Sequence, residues 1–127
     1  MANPIVRASL RRLHSPDAWD LRTFQPGDPL DFCILVQAMV RPLDGPGEES
    51  FDFILCTPQW IARELERDDV VWGRARLIVS RYSYQALERT VLTLCQRTDG
   101  KNWSEVAERL NRWTAWEFED YRESPRA

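Results

Sequence analysis

The chain has 127 residues, a length that suits one compact domain with a core of its own. Hydrophobic residues make up 43% and charged residues 29%, which is the balance of a globular protein and excludes a disordered one. Net charge is −3, from 20 acids against 17 bases, so nothing in the composition points to a protein that binds nucleic acid by neutralising phosphates.

Residues 5–13 alternate. Val6, Ala8 and Leu10 share one face, Arg7, Ser9 and Arg11 the other, which predicts a half-buried strand. In the next stretch Ser15 followed by Pro16 can cap a short turn of helix, because proline at the first helical position wastes no donor. Residues 20–31 carry Pro26, Gly27 and Pro29 and read as a loop. From 32 to 40, Phe32, Ile34, Val36, Ala38 and Val40 alternate with Cys33, Leu35, Gln37 and Met39. That predicts a central strand covered on both sides, or at least one well inside the sheet. Residues 42–47 hold two Pro and two Gly and must turn. Residues 50–56 return, with Phe51, Phe53 and Leu55 on one face, so the pair is a hairpin with a long loop.

Thr57-Pro58 starts a helix that runs to about residue 67, with the Thr57 hydroxyl as acceptor for an unpaired helical N–H. Residues 77–82 read as another strand. Ser83 caps a longer helix with Tyr84, Leu87, Val91, Leu94 and Cys95 at helical spacing, ended by Asp99-Gly100. Asn102-Trp103-Ser104-Glu105 is a capping-box pattern, and the helix behind it sets Trp103, Val106, Ala107 and Leu110 on one stripe. At the end, Trp116 and Phe118 alternate with Glu117 and Glu119. An extended backbone there anchors the aromatics on one face and presents the acids on the other. Strands come early and helices late. The expected fold is therefore α+β, a mostly antiparallel sheet with helices packed on one face, in a single domain over residues 1–127. Its expected core is Phe32, Ile34, Val36, Phe51, Phe53, Leu55, Ile78, Leu87, Val91 and Leu110.

The inventory for chemistry is thin. One histidine, His14, excludes any site that needs two, and beside Ser-Pro it reads as a turn residue. Cys33, Cys56 and Cys95 form no Cys-x-x-Cys and sit in apolar stretches, so they read as small buried hydrophobes. No glycine-rich loop leads into a helix to cradle phosphate. The expectation is no catalysis, no metal and no cofactor. No apolar run reaches membrane-spanning length and the N-terminus lacks a signal-peptide layout, so the expected residence is cytoplasmic, with neither membrane nor nucleic acid as partner.

Function then falls to the surface. Sixteen of the 17 bases are Arg, whereas the acids cluster: Asp44, Glu48, Glu49 and Asp52 in one stretch, Glu117, Glu119, Asp120 and Glu123 in another. Six Trp are many for so short a chain. Trp60 and Trp103 lie on helical stripes and read as core. Trp beside acids is how an anchor in a protein–protein interface looks.

These pieces resemble the immunity protein 8 family of bacterial polymorphic toxin systems. The resemblance rests on Leu13-His-Ser-Pro-Asp17, Asp31-Phe-Cys-Ile-Leu-Val-Gln-Ala-Met-Val40, Glu49-Ser-Phe-Asp-Phe53, Cys56-Thr-Pro-Gln-Trp60, Ile78-Val-Ser-Arg-Tyr82, Asn102-Trp103 and Trp116-Glu-Phe-Glu-Asp-Tyr121. It covers nearly the whole chain. One position departs: Arg41 precedes Pro42 where the family carries Gly. The resemblance implies an α+β immunity protein, without catalysis or cofactor, that stays in the producing cell and binds the C-terminal domain of a cognate toxin. Many such toxins are nucleases, and the acidic bias suits a basic one. The expected contact residues are Glu48, Glu49, Asp52, Trp116, Glu117, Glu119 and Asp120. The rival expectation is a housekeeping scaffold or oligomer-forming subunit, which needs an apolar self-complementary patch.

Overall fold

The computed structural model describes residues 5–118. Three strands carry the sheet: β1 (Val6–His14), β2 (Cys33–Pro42) and β3 (Glu49–Cys56). β2 lies between the other two and pairs antiparallel with each. Its even residues, Ile34, Val36, Ala38 and Val40, are buried, and its odd ones, Cys33, Leu35, Gln37 and Met39, are half-buried. The strand is central as expected, but only one of its faces is fully covered. Arg41 and Pro42 simply continue it, with Arg41 opposite Ser9.

The covered face is completed by Ala8 of β1 and by Phe51, Phe53 and Leu55 of β3. Above it lie α2 (Tyr84–Gln96), which contributes Leu87, Val91 and Cys95, and α3 (Trp103–Leu110), which contributes Val106, Ala107 and Leu110. Both helices start where a side chain can accept from an orphan N–H. The Ser83 hydroxyl accepts from Ala86 N at 3.2 Å, and the Asn102 amide oxygen accepts from Glu105 N at 2.8 Å. Thr57 behaves differently. It stands ahead of α1 (Pro58–Asp68) in extended conformation, yet its hydroxyl makes no cap. It accepts from Phe32 N at 3.2 Å and so ties the start of the helix to the entry of β2. α1 ends on Asp69 in the left-handed region, its N–H returning to Leu65 O at 2.9 Å.

α1 is a crossover. The chain leaves β3, passes through it and returns as β4 (Arg76–Ile78), which lies parallel to β3 with Leu77 opposite Leu55. A parallel neighbour requires such a connection, and the sheet is accordingly mixed, although its other pairings are antiparallel. β4 spans three residues rather than six. Leu77 in β4 and Val79 just after it face the core, so alternation turns Ile78 outward, where it is 54% exposed. The expectation that Ile78 is core is thus wrong by one residue of register. Tyr82 lies past the strand and packs its ring edge-on against Phe24 and Phe32, at 5.0 and 5.6 Å between centroids. Ser15 caps no helix. Its hydroxyl accepts from Asp17 N at 3.0 Å in a tight turn.

Two short strands complete the sheet, in the order β4-β3-β2-β1-β5 with β6 also on β3. β5 (Asp99–Gly100) pairs with Val6 and Arg7 of β1. A Cβ at Gly100 would come within 3.1 Å of the Glu105 side chain and 3.2 Å of Val106, so α3 can approach this strand only because the residue is glycine. β6 (Ala115–Trp116) pairs antiparallel with β3.

Two outcomes follow. Phe53 is 4% exposed, so Phe53→Ala should cost about 3–5 kcal/mol in urea denaturation, while Ile78→Ala should stay under about 1 kcal/mol. Burial also pushes the Cys33 and Cys95 thiols up to about 11 and the Tyr82 phenol up to about 12. The folded state therefore favours their neutral forms. Their contribution to stability is intact below pH 9, where unfolded thiols are also protonated, and is lost as pH rises through about 11 to 12. The melting temperature should hold up to pH 9 and fall beyond it; a melting temperature still level at pH 11 would contradict this.

Candidate functional site

The C-terminal aromatics dock on the protein's own sheet. β6 sets Trp116 opposite Phe51, and their rings stack with 6.2 Å between centroids and 4° between planes. Trp103 of α3 meets the same Phe51 edge-on at 6.2 Å, and Phe118 meets Trp116 edge-on at 6.1 Å. The extended, anchored conformation expected of this segment holds only at Trp116: residues 117 and 118 turn, and Phe118 is exposed, touching Trp116 by its ring. Asn111, just past α3, fixes the approach: its side-chain oxygen accepts from Trp116 N at 2.8 Å.

Glu49 sits at the centre of this cluster. Its Oε2 accepts from the Trp103 indole N–H, and its Oε1 accepts from the Trp116 indole N–H at 3.1 Å. Next to it, Ser50 and Glu117 exchange two bonds. Ser50 N donates to the Glu117 carboxylate at 2.6 Å, and Glu117 N donates to Ser50 O at 3.1 Å. Asp52 accepts from the Ser50 hydroxyl and, at 3.5 Å, from the Gln37 amide. Glu48 is exposed and pairs with Arg12 of β1 at 3.0 Å.

Five of the expected contact residues thus meet at one end of β3: Glu48, Glu49, Asp52, Trp116 and Glu117. Glu119 and Asp120 lie outside the described residues. The five differ in kind. Glu49 and Trp116 are half-buried and knit the C-terminal segment to the sheet, whereas Glu48 and Glu117 are exposed. Arg12, Gln37, Ser50 and Asn111, which hold the acids and the segment, were not anticipated. Each bond joins segments far apart in the chain or depends on a local turn, and no spacing rule reports either.

Other sequence candidates are scattered. His14 is exposed on β1 opposite Gln37 and lines neither of the two cavities described for this structure. Cys33 and Cys56 face each other across β2 and β3 as free thiols. Burial raises the pKa of both, which leaves them protonated at neutral pH and poor as nucleophiles. Among the described residues no group of three or more His, Cys, Asp or Glu could hold a metal ion. Trp60 is half-buried under the Arg76 guanidinium, 5.6 Å from its ring centre, while Trp19, Trp72 and Trp113 are exposed.

Removing the shared acceptor should loosen the cluster. Glu49→Ala leaves two indole N–H groups without their partner and should cost about 1–3 kcal/mol. Glu48→Ala removes an exposed ion pair and should cost less than about 1 kcal/mol. Urea titration of both variants, followed by tryptophan emission, measures the difference.

No curated protein and no solved structure matches the chain. The family model described as Immunity protein 8 matches residues 8–121, and the chain belongs to the immunity protein 8 family.

Proposed function

We propose that this protein protects the cell that makes a polymorphic toxin by binding the toxin's C-terminal domain in the cytoplasm. Membership of the family carries the reading. The acidic end of β3 supplies a surface for it. Glu48, Asp52 and Glu117 offer carboxylates there, and Glu49 holds Trp116 in place beneath them. Glu119 and Asp120 continue the same acidic run in sequence. The backbones of Asp52 and Glu117 are hydrogen-bonded at the sheet edge, so little ordering is lost there when a partner arrives. Carboxylates so placed fit a basic surface, as on a domain that cleaves nucleic acid. No helix among the described residues is long and apolar enough to cross a membrane.

Charge across such an interface chiefly speeds encounter and selects partners. The test is a double neutralisation, Glu48→Gln and Glu117→Gln, each of which keeps the one acceptor oxygen now in use. Association with the C-terminal domain of the toxin encoded beside this gene should slow about tenfold at low salt. That difference should shrink as salt screens it, and the melting temperature should not move. Unchanged association in the folded variant removes this surface from the interface. Failure of the unaltered protein to bind that domain at all removes the function.

A further inference from the structure

The two core helices do not cover the sheet evenly. α2 packs on β1, and α3 packs on β1, β5 and β6. α1, which follows β3, buries none of its residues. Between the two core helices and the β3–β4 side of the sheet a cleft of about 450 Å³ opens. Phe53 and Leu77 form its floor, Val91 and Leu94 one wall, and Leu110 with the exposed Trp113 the other. Its size and apolar lining are those of a small-molecule site.

The charges on the cleft are one-sided. In a chain with 20 acids, none lines it. Arg89 of α2 and Arg97, which caps its C-terminus, do. Both are exposed, and neither has an acidic partner among the described residues. The other arginine on the lining, Arg76, lies over the Trp60 ring. We propose that this cleft binds a small amphipathic anion, an apolar chain carrying one carboxylate. The chain lies between the sheet and α2, and the carboxylate meets Arg89 and Arg97. An apolar body gains from leaving water for Phe53, Leu77 and Leu94. Two guanidinium groups without an acidic partner among the described residues match a carboxylate and disfavour a cation of the same length.

Decanoate is the probe, with decyltrimethylammonium as a control of the same chain length and opposite charge. Calorimetric titration should show saturable binding of decanoate, and the melting temperature should rise by roughly 2–4 °C near saturation. The cation should bind at least about tenfold more weakly. The double variant Arg89→Glu/Arg97→Glu, altered only at exposed positions, should lose decanoate binding by about tenfold or more while melting as the parent does. Thr90→Trp, which places a large ring on the lining, should abolish binding without touching either charge. Equal affinity for the two probes, unchanged decanoate affinity in the double variant, or no saturable binding up to about 1 mM would each overturn the proposal.

Discussion

One carboxylate holds three distant pieces of chain together. Glu49 begins β3, Trp103 begins α3 and Trp116 lies in the last strand, and both indole N–H groups end on the same side chain. An indole buried without an acceptor is costly, and a carboxylate buried without donors is more so. Meeting in one place removes both costs. The neighbouring order follows. Phe51 is held between two indole rings, Ser50 and Glu117 exchange bonds along the strand edge, and Phe118 leans on Trp116. The acids that look most available in the sequence therefore include the one most engaged in holding the fold.

The sheet has unlike faces, and the difference reaches back to how each strand is written. On β2 the even residues from Ile34 to Val40 are all aliphatic, and all are buried. Its odd residues include Gln37, beside Asp52 of the next strand, and they stay half-exposed. α2 and α3 accordingly gather on one side. Because both lean toward β1, the same side is closed tightly at one end and left open at the other. A single packing preference thus gives both the dry core around Val36 and Val106 and the cleft beside Leu77.

What could be read in advance was what depends on near neighbours. Alternation located β1, β2 and β3. The caps at Ser83 and Asn102 and the hairpin at 42–47 rest on residues within a few positions of each other. What was missed depends on partners far along the chain. β5 is two residues with no pattern of its own and exists because β1 has an open edge to offer, while the extended reading of residues 116–119 meets the structure only at Trp116, where β6 pairs with β3. Thr57 has the residue type and place of a helix cap, but Phe32 lies close enough to take its hydroxyl. Ile78 sits in an apolar run that fits either register, and only the pairing of Leu77 with Leu55 decides which side faces in. The candidate surface divides in the same way. Its acids were visible as a cluster, while the division between those that support and those that are exposed needed Trp103, Ser50 and Arg12.

The outer edge of β3 is shared out. β6 takes Phe51 and Asp52, and β4 takes Ile54 to Cys56. On the far side β5 covers the start of β1, which is irregular between Leu10 and Arg12 and carries Arg11 and Arg12 there. Unpaired backbone long enough to template another strand is thus replaced by short strands, a bulge and charge, the features that keep sheets from adding to one another. Copies of this chain have little means to zip together edge to edge, even when crowded. A protein that docks at the acidic end of β3 must do so through side chains, because β6 and β4 already pair with the edge of that strand.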